Sequence, residues 1–255
     1  MTNPVVAFVT DFGLRDSYVM EMRAAVFARI PSARVMDITH EVPPFDKVHG
    51  ALMAERALWV LPRGAALVVV VDPGVGTRRR RIFAERDGRW LVGPDNGVLP
   101  IRAGRDRVWL LREELVVADP SVTTFDGRER FAPIAVLLAA GLHPDLAGTR
   151  AELECECVLP TDAEWIRRGR SFFAHGEVVT VDRYGNAMTN IRPIEGAMRV
   201  SSPPRFAGPV RGSYGEVDRG QGLGIVGSSG RIELSVREGS SDLNPGDLVE
   251  LACDG

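Results

Sequence analysis

Short apolar runs alternate with segments of helical spacing along the first 150 residues. The apolar side chains of Tyr18, Met22, Val26 and Ile30 recur at the period of an amphipathic helix. The predicted strands are 5–10, 34–38, 67–71, 81–85 and 89–92, of which the last two are expected to pair around the turn at Asp87 and Gly88. The predicted helices are 17–30, 50–60 and 131–140. Strands that alternate with helices favour an α/β domain with a mostly parallel sheet.

The pattern changes after residue 160. Strand-like runs then follow one another, with Gly-, Asn- and Ser-rich turns between them and without a long helical segment: 176–182, 223–227, 231–236 and 247–252. This pattern is typical of a small antiparallel barrel or sandwich. We therefore expect an α/β domain at 1–160, a linker at 161–172 and a smaller, all-β, barrel-like domain at 173–255.

Charge and composition exclude several classes of partner. The net charge of −3 gives no reason to expect a nucleic acid or an anionic membrane. No apolar run approaches the roughly 18 residues of a membrane span, and the first residues read as a strand without a basic leader, so we expect a cytoplasmic protein. Three cysteines, Cys155, Cys157 and Cys253, fit neither a disulfide framework nor a zinc pattern, and no metal site is predicted.

Three aspartates lie at the ends of predicted strands, namely Asp11, Asp37 and Asp72. Each alone is compatible with a helix cap or turn. Three in one domain favour a shared site, because ligands of open α/β sheets bind beyond the carboxyl ends of the strands. The glycines after Asp72 do not have the spacing of a phosphate-binding loop, so a cation or a sugar is the better ligand for such a site.

Four consecutive arginines, Arg78–Arg81, follow this turn. A charge run usually forms a solvated edge, and strand alternation predicts that at least two of the four face water. One of them folding back on Asp72 would hold that carboxylate ionised. The polar stretches 93–97, 182–190 and 227–230 read either as ordinary turns or as parts of a binding site.

Seven stretches together carry a specific resemblance. They occur in this order: TDFG-x-x-D-x-Y at 10–18, DITHEVPPFD at 37–46, VVDPGVGT at 70–77, GPDNG at 93–97, FDGRERFAP at 125–133, VDRYGNAMTNI at 181–191 and GSSG at 227–230. The chain resembles the S-adenosyl-L-methionine (SAM) hydrolase family, the SAM hydroxide adenosyltransferases, which are related to the fluorinase and chlorinase.

The resemblance implies hydrolysis of SAM to adenosine and L-methionine, without a cofactor, in a homotrimer. Each active site is expected between the N-terminal domain of one subunit and the C-terminal domain of the next. Water would attack C5′ of the ribose in line with the departing methionine sulfur. Asp72 and Arg79 match the residues that position and activate this water, and halogenating relatives have a tyrosine at the position of Asp72.

The resemblance also implies a set of substrate-binding side chains. They are Asp11 for the ribose hydroxyls, Phe45 and Tyr184 near ribose and adenine, Asn186 for the adenine, Asp182 and Ser228 for the methionine amino group, Ser229 for its carboxylate, and Asp16 as a weaker candidate at the methionine end. Thr124 and Phe125 are further substrate-binding candidates.

One position departs from the family pattern. Asp126 stands where the water-using relatives have a histidine, in a block that reads TFDGRE here. Asp126 could replace the histidine as the acceptor of the proton, or it could point away and do nothing. Alternatively, the exchange removes a proton-transfer group, which typically costs on the order of 10²–10⁴-fold and would leave a slow enzyme or a SAM- or adenosine-binding protein. Retained hydrolysis is the favoured interpretation, and a halide-using transferase is less favoured because Asp72 would repel a halide.

Overall fold

The chain divides near residue 160. The computed structural model describes residues 3–115 and 124–254, and these fall into two units, Met1–Leu159 and Pro160–Gly255. Within the described residues, no helix is both long and apolar enough to cross a membrane.

The first unit is built from strands and helices that alternate at first and then give way to consecutive strands. Its elements are β1 (Val5–Thr10), α1 (Tyr18–Arg29), β2 (Arg34–Thr39), α2 (Lys47–Val60), β3 (Ala66–Val70), β4 (Arg81–Arg86), β5 (Arg89–Pro94), β6 (Arg107–Leu111), α3 (Ala132–Ala139), α4 (Pro144–Ala147) and β7 (Gly148–Ala151).

The sheet of the first unit is mixed rather than mostly parallel. Its strand order is β2-β1-β3-β5-β4-β6-β7, with parallel pairing from β2 to β5 and antiparallel pairing from β5 to β7. The change of direction occurs at the β4–β5 hairpin, where Asp87 and Gly88 both have positive φ, at 52° and 76°. Such a two-residue turn reverses the chain tightly and places the strands side by side in opposite directions.

The parallel half of the sheet has helices on both faces. Phe8 and Val68 pack with residues of α1 and α3, whereas the next residues, Val9 and Val69, pack with residues of α2. Every residue of β3 is buried for this reason. A fully apolar strand is the expected sequence for a position covered on both faces.

The second unit is a nearly closed antiparallel barrel. Its strands are β8 (Trp165–Arg168), β9 (Ser171–Val181), β10 (Ala187–Thr189), β11 (Ala197–Ser202), β12 (Gly208–Pro209), β13 (Gly222–Val226), β14 (Ile232–Val236) and β15 (Leu248–Asp254). The order is β12-β11-β15-β9-β10-β14-β13, and a bridge between Arg211 and Ile225 brings the two ends together. The stretch 161–172, expected as a linker, contains β8, which pairs with the start of β9.

Candidate active site

A cleft of about 700 Å³ lies at the carboxyl ends of the central strands of the first unit. β1 and β3 are parallel neighbours, so the chain that leaves β1 at Asp11 and the chain that leaves β3 towards Asp72 reach the same edge. The predicted site residues that line this cleft are Asp11, Phe45, Asp72, Thr124, Phe125 and Asp126.

Two of the predicted aspartates of the first unit lie outside the cleft lining. Asp16 is exposed and is not among the lining residues. Asp37 lies within β2 rather than after it, and it forms ion pairs with Arg23 and with His40, whose Nε2 is 3.0 Å from Asp37 Oδ1. The third strand-end aspartate of the sequence analysis is therefore part of a structural ion-pair cluster.

Asp11 is held at the cleft by the loop that follows β2. The Phe45 amide donates a hydrogen bond to Asp11 Oδ2 at 2.9 Å, and Phe45 itself has a φ of 68°. Burial raises the pKa of Asp11 above its usual value, and the nearby charge of Asp72 adds to this, although the Phe45 amide acts in the opposite direction. Phe45 is exposed at the mouth of the cleft, so its ring is available to a ligand.

The Asp72–Thr77 turn brings Arg79 back onto Asp72. The Gly74 amide donates to Asp72 Oδ1 at 3.2 Å, and the Thr77 hydroxyl donates to the Gly74 carbonyl at 2.6 Å. The reversed chain then places Arg79 Nε 3.0 Å from Asp72 Oδ1 and 2.8 Å from Oδ2. The turn and the arginine of this stretch thus form one unit around the carboxylate.

Asp126 meets the same arginine from the other side. Arg79 Nη2 donates to both Asp72 and Asp126, and the exposed fractions of the three side chains are only 3% for Asp72, 9% for Arg79 and 1% for Asp126. Burial alone would lower the pKa of Arg79, but the hydrogen bonds and charges of the two aspartates outweigh it and raise that pKa. Asp126 therefore does not point away from the site.

Two further arginines converge on Asp126, and sequence reasoning missed both. Arg81 Nε donates to Asp126 Oδ2 at 2.9 Å, and Arg130 Nη1 donates to Oδ1 at 2.8 Å. Glu113 joins the two arginines, with distances of 2.9 Å to Arg81 Nη1 and 3.0 Å to Arg130 Nε. The position of Arg130 four residues after Asp126 was the available signal, because that spacing pairs side chains on one helical face.

The arginine run is not a solvated edge. Arg79 and Arg81 pair with aspartates that line the cleft, and Arg80 Nε donates to the buried Asp95 at 3.0 Å, which leaves Arg78 exposed. The prediction that at least two of the four face water is therefore wrong. Asp95 also accepts backbone amides from Glu154 and Cys155.

The stretch 93–97 has a structural part in the first unit. Asn96 Nδ2 donates to the Val71 carbonyl at 3.0 Å, and Lys47 Nζ donates to the Asn96 carbonyl at the same distance. These contacts fasten the turn to the end of β3 and to the first turn of α2.

A wide helical turn presents Asp126. Residues Gly127–Phe131 form a single π-helical turn that continues into α3, and the Ala132 amide bonds to the Gly127 carbonyl five residues back. Pro133 has no amide hydrogen for the α-helical bond to Glu129, which favours this wider turn. Such turns are often found at functional sites.

Three aromatic rings form one wall of the cleft. Phe12, Tyr18 and Phe125 lie with ring centroids 5.3 to 5.7 Å apart in tilted and edge-to-face arrangements. The Arg128 guanidinium lies 5.2 Å from the Phe125 ring centre and pairs with Glu21. Among these, only Phe125 had been predicted as a site residue.

The remaining predicted substrate-binding residues belong to the second unit. Asp182 accepts the backbone amides of Tyr184 at 2.8 Å and Asn186 at 2.9 Å, so its loop is held in a fixed turn with the Tyr184 ring exposed. Ser228 and Ser229 lie in the β13–β14 turn, and the Ser229 hydroxyl is buried without a partner among the described residues. The strand register places these two loops at opposite ends of β14.

The described part of the chain contains no group of three or more His, Cys, Asp or Glu side chains arranged to hold a metal ion. The cleft instead combines four carboxylates, those of Asp11, Glu21, Asp72 and Asp126, with aromatic rings, and the Arg79 guanidinium pairs with two of these carboxylates. Such a site can bind a cation, orient a sugar through hydroxyl hydrogen bonds and hold a water molecule against a carboxylate.

Two family models cover most of the chain. Residues 6–148 match the SAM hydroxide adenosyltransferase N-terminal domain, and residues 176–249 match the SAM hydroxide adenosyltransferase C-terminal domain. The chain belongs to the SAM hydroxide adenosyltransferase family. The resemblance inferred from the seven sequence stretches is thereby confirmed.

Individual SAM hydroxide adenosyltransferase relatives extend the match over nearly the full length. A protein of Thermus thermophilus named (R)-S-adenosyl-L-methionine hydrolase is 39% identical over 92% of this chain and 93% of its own. One of the same name from Salinispora tropica is 37% identical over 97% of both chains. More distant relatives include a fluorinase of Nocardia brasiliensis, which is 24% identical over 74% of this chain and 71% of its own.

The fold is also similar to that of a solved structure. A crystal structure of an uncharacterized conserved protein from Thermotoga maritima has a TM-score of 0.82 and 30% identity, and the match covers 96% of this chain and 99% of that one. The two-unit organisation is therefore shared with this relative.

Proposed function

We propose that the protein hydrolyses S-adenosyl-L-methionine to adenosine and L-methionine. The observation that carries the proposal is the buried Asp72–Arg79 pair in the cleft, at the positions where the water-using branch of the family is expected to hold its water. The names of the hydrolase relatives, at 35% to 39% identity, support the same reaction.

The proposed step is an in-line displacement at C5′ of the ribose. A water oxygen forms the new bond to C5′ while the C5′–S bond breaks. The electron pair of the C5′–S bond stays on sulfur, which leaves as the neutral thioether of methionine. Asp72 takes the proton that the water loses and passes it to solvent. Because the sulfonium is already a good leaving group, the protein contributes mainly the position of the water and the removal of one proton.

Substrate binding follows from the charges of the cleft. Asp11 and Asp72 give an anionic lining that favours the positive sulfonium, and Asp11 has an oxygen left for the ribose hydroxyls beyond the one that accepts the Phe45 amide. In this proposal Asp182, Tyr184, Asn186, Ser228 and Ser229 bind the adenine and methionine ends. A homotrimer would supply them from a neighbouring subunit, as the family resemblance implies.

Water is favoured over halide as the nucleophile. A halide would have to approach the Asp72 carboxylate, whose charge is screened little by water because the side chain is buried. The lower identity to the fluorinase, 24% against 39% for the T. thermophilus hydrolase, agrees with this choice.

The test is chromatography of the purified protein incubated with SAM at neutral pH, with chloride absent and then present. We expect equal amounts of adenosine and methionine, independent of chloride, and no halogenated nucleoside. Asp106→Asn serves as a matched control for substitutions of Asp72 and Asp126. Asp106 is also a buried carboxylate paired with an arginine, Arg102, but it does not line the cleft. SAM binding without product in the wild-type protein would favour the alternative of a non-catalytic SAM-binding protein.

A further inference from the structure

The carboxylate of Asp126 has three cationic partners. Its Oδ1 accepts from Arg130, and its Oδ2 accepts from both Arg79 and Arg81. An ionised carboxylate offers about four acceptor positions, so three strong donors occupy most of them. The Asp126 side chain is more deeply buried than those of Asp72 and Arg79.

We propose that Asp126 is a positioning residue that fixes Arg79 against Asp72, and that it does not accept the proton of the attacking water. The inference rests on the proposed hydrolysis and names the part that the residue replacing the family histidine has in it. Arg81, Arg130 and Glu113 are the partners that make a buried carboxylate possible at this place.

The comparison with Asp72 decides which carboxylate takes the proton. Asp72 accepts from one guanidinium, that of Arg79, and from one backbone amide, that of Gly74. A proton on Asp126 would remove the negative charge that three guanidinium groups share. A proton on Asp72 would remove a counter-charge from Arg79 alone, and Arg79 would still pair with Asp126. Asp72 is therefore the carboxylate with the fewer cationic partners, and we assign the proton of the attacking water to it.

The charges of the cluster balance as a set. Asp72, Asp126 and Glu113 supply three negative charges, and Arg79, Arg81 and Arg130 supply three positive charges. A neutral imidazole at position 126 would offer a single acceptor nitrogen to three donors and would leave the set with one excess positive charge. Introducing the histidine alone should therefore not improve the site.

The orientation of Arg79 follows from these contacts. Its Nε is taken by Asp72 and its Nη2 by both aspartates, whereas Nη1 is buried and has no acceptor among the described residues. A small polar ligand such as water is the natural acceptor for this nitrogen. Two carboxylates on different elements hold the planar guanidinium more firmly than one could, which fixes where that donor lies.

The experiment compares pH profiles of kcat and KM for SAM in the wild-type protein, Asp126→Asn, Asp126→His and Asp72→Asn, with Asp106→Asn as the control. For Asp126→Asn we expect a kcat lower by on the order of 10²-fold, as for a misplaced catalytic group, with little change in KM. The acid limb of its pH profile, which is the fall of kcat towards low pH, should be unchanged. Asp126→His should also be slower than the wild type. For Asp72→Asn we expect a kcat lower by on the order of 10²–10⁴-fold and no acid limb in its pH profile.

The opposite pattern would overturn the inference. If the acid limb disappears in Asp126→Asn but remains in Asp72→Asn, Asp126 accepts the proton. An Asp126→His variant faster than the wild type would also contradict a positioning role. If the wild-type protein releases no adenosine, the proposed function itself fails, and the role of Asp126 falls with it.

Arg81→Gln covers the case in which the Asp126 variants do not fold. This variant removes one cation beside Asp126 and leaves that carboxylate in place. A positioning role predicts a several-fold lower kcat with the acid limb at the same pH. If Asp126 were the proton acceptor, the loss of a neighbouring positive charge would move the acid limb to higher pH.

Discussion

The strongest quantitative test of the cleft concerns the ribose site at Asp11. Replacing Asp11 by alanine removes the carboxylate that the proposal assigns to the ribose hydroxyls, together with the acceptor of the Phe45 amide. A hydrogen bond to a charged group contributes about 1.5–3 kcal/mol, and each 1.4 kcal/mol is tenfold in affinity. Losing one such bond should therefore weaken adenosine binding about 10- to 150-fold.

The assay is calorimetric titration of adenosine and of 2′,3′-dideoxyadenosine into the wild-type protein and Asp11→Ala. The dideoxy ligand lacks the 2′- and 3′-hydroxyls that the proposal places at Asp11, so it reports only the indirect effect of releasing the Phe45 loop. We expect the substitution to weaken adenosine binding strongly and the dideoxy ligand little. An equal loss for both ligands would refute the assignment of Asp11 to the ribose.

The same titrations carry a pH dependence whose direction is fixed. Burial, with the charge of Asp72 adding to it, raises the pKa of Asp11, and the ionised form is the one that accepts both hydroxyl protons. The affinity for adenosine should be highest above this raised pKa and should fall by up to about tenfold per pH unit below it. The fall should begin at a higher pH than for an ordinary aspartate. The effect should be absent in Asp11→Ala.

Three further predictions concern stability. Asp11→Asn should increase the free energy of unfolding in urea at pH 7, because the raised pKa of Asp11 shows that the folded state disfavours its ionised form; a decrease would contradict this. Gly148→Ala should lower Tm strongly with turnover per folded molecule unchanged, because the new Cβ would lie 2.1 Å from the Leu110 carbonyl oxygen and 2.7 Å from the Phe83 ring. Trp109→Ala should cost about 3–5 kcal/mol in urea unfolding, since this buried ring stacks on Phe83 at 5.4 Å, and a loss below 1 kcal/mol would argue against the packing.

The sequence predicted local elements well because each has its own periodicity. The strands 5–10 and 34–38 and the helix 17–30 differ from β1, β2 and α1 by no more than one residue at either end. For β4, the sequence predicted a pair with the strand at 89–92 around the turn at Asp87 and Gly88, and β4 and β5 form that antiparallel hairpin. The buried residues Ile82, Phe83 and Ala84 of β4 form the continuous apolar run that is also typical of a parallel strand, and only the turn at Asp87 and Gly88 indicates the reversal.

The site divides along a similar line. The pairing of Arg79 with Asp72 was one of the outcomes considered from sequence, since a tight turn of seven residues leaves few other carboxylates within reach. The contact of Arg81 with Asp126 depends on the tertiary placement of two segments 45 residues apart, which sequence spacing does not give. The aromatic wall was missed for the same reason, because Phe12 and Phe125 meet only when β1 and α3 are packed.

The wide turn before α3 makes the length of the chain as important as its chemistry. Gly127–Phe131 holds one residue more than an α-helical turn would, and Asp126 stands immediately before it. Each residue of an α-helix turns the chain by about 100°, so deleting one residue here would let α3 keep its packing while Asp126 rotated away from Arg79. A deletion of this kind would disable the cleft without changing a single functional side chain, which makes the helical phase at Asp126 a determinant of the site in its own right.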